Sequence, residues 1–347
     1  MDVADFDYLL PPDLIAQTPP VEPGSSRLLV LNRRAGTIAH SHVGELPRWL
    51  TPGDLLVLND TRVFPARVYG RRTPSGGSVE CLLLRRLDED HWEALMHPGR
   101  KLAPGAHVLF GDPPELACEV LERRFYGRRL VRLSSLHEGD VMDIVGRIGH
   151  VPLPPYIRRA DQPLDRERYQ TVYARAEGSV AAPTAGLHFT RGLLEALGRD
   201  GVERADLTLH VGYGTFKPVR SGRVEDHVVD AEPFEVSVET ARAVNDALDR
   251  GRRIVAVGTT TTRALESAVR RGRGRVEPGG GMADLFIYPG YEFQAVGALM
   301  TNFHLPRSSL LMLVCAFGGR ESVLDAYREA VARRYRFYSY GDAMLVV

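Results

Sequence analysis

The chain has 347 residues, with 44 Lys+Arg against 44 Asp+Glu, 44% hydrophobic and 25% charged content. A neutral, ordinarily hydrophobic chain of this length excludes a disordered segment, a collagen and a disulfide scaffold, and it argues against a protein that coats nucleic acid by bulk electrostatics. At about 150 residues per domain, the length suggests two domains.

Cys81, Cys118 and Cys315 lie far apart, so neither a C-x-x-C redox motif nor a zinc ribbon is present. Sparse, odd cysteines fit a reducing cytosol, and a cytoplasmic location is expected. The acidic start Met1-Asp2-Val3-Ala4-Asp5 lacks the layout of a signal peptide. The longest apolar run, Leu310–Phe317, falls far short of the ~20 residues that span a bilayer. No membrane contact is expected. Arginine supplies nearly all the positive charge, the only lysines being Lys101 and Lys217.

In chain order, Asp54–Asn59 reads as a buried strand entered from the Pro52-Gly53 turn. Residues 67–150 then change character. Val79–Leu84, Trp92–Met96, Val108–Phe110, Leu116–Leu121 and Leu130–Leu133 are short apolar runs between Gly/Pro turns. This spacing predicts a small β-barrel over 67–150. Arg123, Arg124, Arg128, Arg129 and Arg132 cluster within it.

After Pro152-Leu153-Pro154-Pro155, helices and strands alternate, which predicts an α/β architecture. Thr190 caps a predicted helix over Arg191–Arg199, and Ala205, Leu207, Leu209 and Val211 alternate as in a strand. Ser237 caps a helix running to Arg250. Ile254–Val257 is a buried strand, Ser308 or Ser309 opens an apolar helix, and Glu321–Tyr335 is amphipathic. Arg270–Gly281 reads as a flexible basic loop.

Four constellations carry chemistry. Ala181–Thr190 combines small residues with Thr184, Gly186 and His188, which lets backbone approach a ligand. His210-Val211-Gly212-Tyr213-Gly214-Thr215 lies at a predicted strand end, where α/β sheets gather ligands. Its Gly-x-Gly is not a dinucleotide fingerprint, because no third Gly or helix follows. Val257-Gly258-Thr259-Thr260-Thr261-Thr262-Arg263 is strand, polar turn and helix start, a place for a phosphate or carboxylate, without the Lys of a P-loop. Finally, Thr301-Asn302-Phe303-His304 and Tyr335-Arg336-Phe337-Tyr338-Ser339-Tyr340-Gly341-Asp342 join a His to dense aromatics, suited to stacking on unpaired bases. His188, His210, His227 and His304 include no i, i+4 pair, so no metal site is expected.

Taken together, these motifs resemble the S-adenosylmethionine:tRNA ribosyltransferase-isomerase family of queuosine biosynthesis. The resemblance runs from Phe6-Asp7-Tyr8-Leu9-Leu10-Pro11 to Tyr340-Gly341-Asp342-Ala343-Met344, and includes Gly53–Val63, Gly149–Ile157 and Tyr169-Gln170-Thr171-Val172-Tyr173. It implies a family-specific α/β main domain, barrel-like or layered, made of 1–66 together with 151–347, with a small β-barrel inserted over 67–150. It also implies transfer and isomerisation of the ribosyl group of S-adenosylmethionine onto 7-aminomethyl-7-deazaguanine at the tRNA wobble position. The products are epoxyqueuosine-tRNA, adenine and methionine. The donor is consumed, so no cofactor is expected, and the partners are tRNA and S-adenosylmethionine, with the protein a monomer.

That reaction assigns expected roles. His188 or His210 is the base that takes the proton beside the sulfonium, and His304 or Asp342 the acid that helps adenine leave. Gly258, Thr259, Thr260 and Arg263 hold the anionic end of the donor. Asn59, Asp60 and Arg62 bind donor or tRNA backbone, Thr184, Gly186, Gly212, Gly214, Thr215 and Asn302 line the substrate, and Tyr335, Phe337 and Tyr340 face a base. One departure stands out: where the family reads His-x-Met-His-x-Glu, this chain reads His227-Val228-Val229-Asp230-Ala231-Glu232. Two other readings compete, a non-catalytic tRNA-binding protein and a different nucleoside or ribosyl transferase on the same scaffold.

Overall fold

The computed structural model describes residues 1–216 and 218–347, without the side chains of 215 and 216. Strands β1 (Arg27–Asn32) and β2 (Thr37–His42) form a hairpin. The fully buried β3 (Leu55–Asn59) follows, then the short β4 (Thr61–Val63).

Six antiparallel strands next close a barrel. They are β5 (Arg67–Thr73), β6 (Ser78–Arg86), β7 (His91–His97), β8 (His107–Phe110), β9 (Leu116–Arg123) and β10 (Arg128–Ser135). Alternate side chains such as Val79, Cys81 and Leu83 fill its interior. Strand β5 escapes the sequence reading because Gly70 and paired arginines interrupt its apolar pattern. Gly70 is required there, since a Cβ would stand 2.2 Å from the Leu109 carbonyl oxygen. Helix α1 (Val141–Ile148) packs Ile144 and Val145 into the same core, which Phe64 and Val180 join from outside the barrel.

The rest of the chain adds α2 (Pro163–Arg168), β11 (Ala176–Ser179), α3 (Arg191–Arg199), β12 (Glu203–Leu209), β13 (Glu232–Val236) and α4 (Val238–Asp249). Then come β14 (Ile254–Val257), α5 (Thr259–Arg271), β15 (Gly279–Ala283), β16 (Ala298–Asn302), α6 (Ser309–Gly318), α7 (Arg320–Ala332) and β17 (Ala343–Val346). Nine strands form one sheet in the order β15-β13-β12-β3-β14-β16-β17-β1-β2. Its centre, β12-β3-β14-β16, is parallel. Of the two forms expected for the main domain, this is the layered one.

Strand alternation sorts the core into two faces. Leu55 and Val57 of β3 pack with α4, α5, α6 and α7, while Leu56 and Leu58 pack with α3 and the Val43–Arg48 turn. Capping fixes the helix starts: Thr190, Ser237 and Ser308 each accept a backbone N–H from the first turn. Two expectations need correction. Gly279–Gly281 is not a loop but the start of β15, paired with β13. Its glycines signal close approach, since a Cβ on Gly281 would meet the Phe234 ring at 2.6 Å. The amphipathic helix ends at Ala332, short of Tyr335, and Arg334 then takes a left-handed φ of 55°.

Candidate active site

The carboxyl ends of the four parallel strands gather the candidate residues, as expected for an open α/β sheet. Beyond β14 and β16 lies a cavity of about 520 Å³ lined by Thr184, Gly258, Thr259, Thr260, Asn302, His304, Tyr156 and Tyr338, among others. Gly258 sits at the N-cap of α5 with φ 96° and offers no side-chain cap, so the first-turn N–H groups stay open to a ligand. The four threonine hydroxyls divide. Thr261 donates to the Val257 carbonyl (2.6 Å) and Thr262 to that of Gly258 (3.1 Å), which ties both to the backbone. Thr259 and Thr260 line the cavity.

His304 lines it too. Its Nε2 pairs with the Thr301 hydroxyl at 2.8 Å, its N–H donates to Tyr327 Oη at 3.1 Å, and its carbonyl accepts from Tyr8. Burial pushes the imidazole down to about 3, so the ring is neutral. His188 lies behind the cavity wall and is 4% exposed. Its Nδ1 contacts Ser26 Oγ at 2.9 Å and its Nε2 contacts Asn302 Nδ2 at 3.0 Å. Burial holds it at about 4.

A second cavity of about 510 Å³ opens between the sheet and the barrel, lined by Phe64, Trp92, Arg85, Arg86, Arg128, Glu177, His210, Gly212 and Gly214, among others. His210 is half-buried, and its Nδ1 meets Thr61 Oγ1 at 2.8 Å. Burial lowers its pKa, with Asp60 and Glu235 pulling the other way. Gly178 lets β11 pass beneath the ring, where a Cβ would stand 2.9 Å away. The segment leaving β12 borders both cavities: Val211 lines each, Gly212 to Gly214 the second, Pro218 and Val219 the first. The side chain of Thr215 lies outside the described residues.

Several predicted site residues are instead structural. Asn59 bridges β3 to β12, donating to the Leu209 carbonyl and accepting its N–H. Asp60 is held by Arg175 and Thr208. Arg62 is exposed beside a smaller recess bordered by Arg166 and Gln170. Gly186 is a packing glycine, with Tyr173 Oη 2.1 Å from where its Cβ would be. Arg263 does not reach the first cavity. It pairs with buried Glu232 at 2.6 Å and donates to the carbonyls of Leu285, Asp230 and Ala283. Asp342 is no free acid, because it accepts from the Arg27 guanidinium and from the N–H groups of Arg27 and Arg336.

The aromatic patch is also core. Tyr335, Phe337 and Tyr340 are buried, Tyr335 against His40 Nδ1 (2.8 Å) and Tyr340 against Asp165 (2.8 Å). The ring that does line the cavity is Tyr338, beside Tyr156 with centroids 4.0 Å apart. Tyr338 has φ 73°, a backbone reversal that no local pattern announced. Asp230, at the departure from the family motif, ties the main sheet to the barrel through Arg128 at 2.9 Å.

About half of the clustered arginines pair with carboxylates, and others meet backbone carbonyls. Arg124 pairs with Glu93, Arg132 with Glu119, Arg275 with Asp249, Arg333 with Glu329 and Arg334 with Asp13, while Arg129 is buried against backbone carbonyls.

With this geometry in hand, comparison with known proteins is specific. A family model described as queuosine biosynthesis protein matches residues 3–346. The S-adenosylmethionine:tRNA ribosyltransferase-isomerase of Heliobacterium modesticaldum is 52% identical over 348 residues, covering 100% of both chains. That of Pelotomaculum thermopropionicum is 50% identical, again over 100% of both. The crystal structure of the S-adenosylmethionine tRNA ribosyltransferase from Thermotoga maritima is 41% identical, with a TM-score of 0.56, covering 99% of this chain and 100% of that one.

Proposed function

Because the chain belongs to the queuosine biosynthesis protein family, we propose how the two cavities at the strand ends divide the work of a S-adenosylmethionine:tRNA ribosyltransferase-isomerase. The enzyme moves the ribosyl part of S-adenosylmethionine to 7-aminomethyl-7-deazaguanine in tRNA, isomerises it to the epoxycyclopentanediol of epoxyqueuosine, and releases adenine and methionine. The cavity beyond β14 and β16 takes the donor. Its methionine carboxylate sits on the open N–H groups at the start of α5, with Thr259 and Thr260 as hydroxyl donors. The acceptor base enters the cavity against the barrel, where aromatic and apolar walls suit an unpaired base.

The reaction removes a proton from the carbon beside the sulfonium and returns one to the departing adenine. A neutral imidazole serves this traffic, and each cavity holds one: His304 on the donor side, His210 on the acceptor side. His210 also suits removal of a proton from the attacking aminomethyl group. The observation that carries this reading is the shared wall: Val211 lines both cavities, with Gly212 to Gly214 on the second and Pro218 and Val219 on the first. The donor is consumed and no further cofactor enters. The protein acts as a cytoplasmic monomer, and no helix among the described residues is long and apolar enough to cross a membrane.

The test is adenine release from S-adenosylmethionine with and without the modified tRNA. Wild type should release adenine only with it. Folded His210→Ala and His304→Ala proteins should lose about 100-fold or more, the scale of general acid–base catalysis. Wild-type rates in both variants would remove the histidines from the reaction, and tight tRNA binding without donor turnover would favour a mere binding protein.

A further inference from the structure

The turn between β9 and β10 holds two aromatic side chains in the open. Phe125 is 88% exposed and Tyr126 86%. Folding does not account for them. Neither ring joins a hydrophobic core, and Tyr126 takes a left-handed φ of 57°, a conformation that tight turns normally give to Asn or Gly. The setting is basic. Arg123 donates to the Arg100 carbonyl, which holds the Gly99–Lys101 turn alongside β9. Arg129 ties the two turns together by donating to the carbonyls of Gly99 and Gly127. Arg100, Lys101 and Arg123 are exposed, and among the described residues none of the three meets a carboxylate. Glu122, the carboxylate beside the tip, is held by Arg124 at 3.4 Å. The tip also stands on the rim of the cavity against the barrel. Arg124, just before it, pairs with Glu93 at 3.0 Å, and Arg128, just after it, pairs with Asp230 at 2.9 Å. Glu93, Arg128 and Asp230 all line that cavity.

Resting on the reading that this cavity takes the modified base of tRNA, we propose that Phe125 and Tyr126 stack on an unpaired anticodon-loop base next to it, with Arg100, Lys101 and Arg123 along the neighbouring phosphates. Exposed rings among uncompensated cations suit single-stranded nucleic acid, because every base has a π-face and the cations follow the backbone. A base drawn into a cavity leaves its neighbours without a stacking partner, and rings on the cavity rim replace it. A protein partner fits less well. Two aromatic side chains offer at most about 500 Å², short of the roughly 800 Å² per partner of a stable protein interface.

The experiment measures binding of fluorescein-labelled anticodon stem-loops by anisotropy at fixed salt. One loop carries 7-aminomethyl-7-deazaguanine, one is abasic at that position, and two are abasic at each neighbouring nucleotide in turn. Wild type should lose about tenfold in affinity without the modified base, and about tenfold without one of its neighbours. The Phe125→Ala/Tyr126→Ala variant should bind the intact loop about tenfold weaker and lose nothing further when that neighbour is removed, since ring and base form one contact. If wild type is indifferent to the modified base, the assignment of the cavity fails. If wild type needs the modified base but is indifferent to both neighbours, the stacking fails. It fails too if the variant binds like wild type, or if removing the neighbour costs the variant as much as it costs wild type. The abasic loops read the contact in the unaltered protein, so a misfolded variant leaves the test standing. Arg100→Gln/Lys101→Gln should flatten the slope of log affinity against log salt by about 1.4, two phosphate contacts at roughly 0.7 each. An unchanged slope would remove these side chains from the phosphates.

Discussion

The histidines show how burial decides what a side chain does. His188 and His304 are both held neutral by desolvation, at about 4 and about 3, against about 6.5 in an unfolded chain. Above pH 6.5 neither state binds the proton, and their contribution to stability is complete. As pH falls from 6.5 toward 4, the unfolded chain takes up protons that the folded chain refuses, so stability drops, by on the order of 3 kcal/mol per histidine. Urea midpoints at pH 7.5 and 4.5 test this. His188→Phe should lose less stability over that interval than wild type, and an equal loss would contradict the buried neutral ring. All three reactive-looking histidines stood out in the sequence as polar residues in small-residue or strand-end settings. Which of them reach a cavity was not legible, because it depends on neighbours distant in sequence: His188 is enclosed by Ser26 and Asn302, which lie 162 and 114 residues away along the chain.

At the level of elements, the start of α5 was readable and its division of labour was not. Strand, Gly, hydroxyls and helix are adjacent in sequence, so local physics predicts an anion site. The helix period, however, turns Thr261 and Thr262 back onto the carbonyls of Val257 and Gly258. Thr259→Val and Thr260→Val should therefore raise the donor KM severalfold. Thr261→Val and Thr262→Val should leave that KM unchanged and alter stability by about 1 kcal/mol, the worth of one hydrogen bond. Steady-state kinetics with a denaturation curve for each variant separates the two pairs, and equal KM effects across all four would overturn the division. Tyr335, Phe337 and Tyr340 fail for the same kind of reason. An aromatic run carries no record of which rings face inward, and the reversal at Tyr338 sends that ring alone of the four to the cavity.

Across the whole molecule, neutrality has a structural counterpart. The arginines that cluster in sequence mostly meet carboxylates or carbonyls, such as Arg128 with Asp230 across the seam between barrel and sheet. On the proposal that the cavity against the barrel takes the base, recognition of tRNA relies on that pocket more than on phosphates. The logarithm of the tRNA binding constant should fall with the logarithm of salt concentration at a slope shallower than about −4, a handful of contacts at roughly −0.7 to −0.9 each. A filter-binding series giving about −8 would show a phosphate-tracking face instead. The sequence by itself determined the α/β class and the barrel between its parts, because periodicity and turn chemistry are local properties, and its contiguous motifs carried the resemblance to a family, which in turn implied the reaction. Only the tertiary structure decided that the cavity beyond β14 and β16 and the one against the barrel meet at Val211, that Arg263 and Asp342 are consumed by internal pairs, and that Tyr338 and Asn302 line the first of them. Those facts depend on segments distant in the chain meeting at the ends of the same parallel strands, where burial and hydrogen bonding select which polar groups remain available.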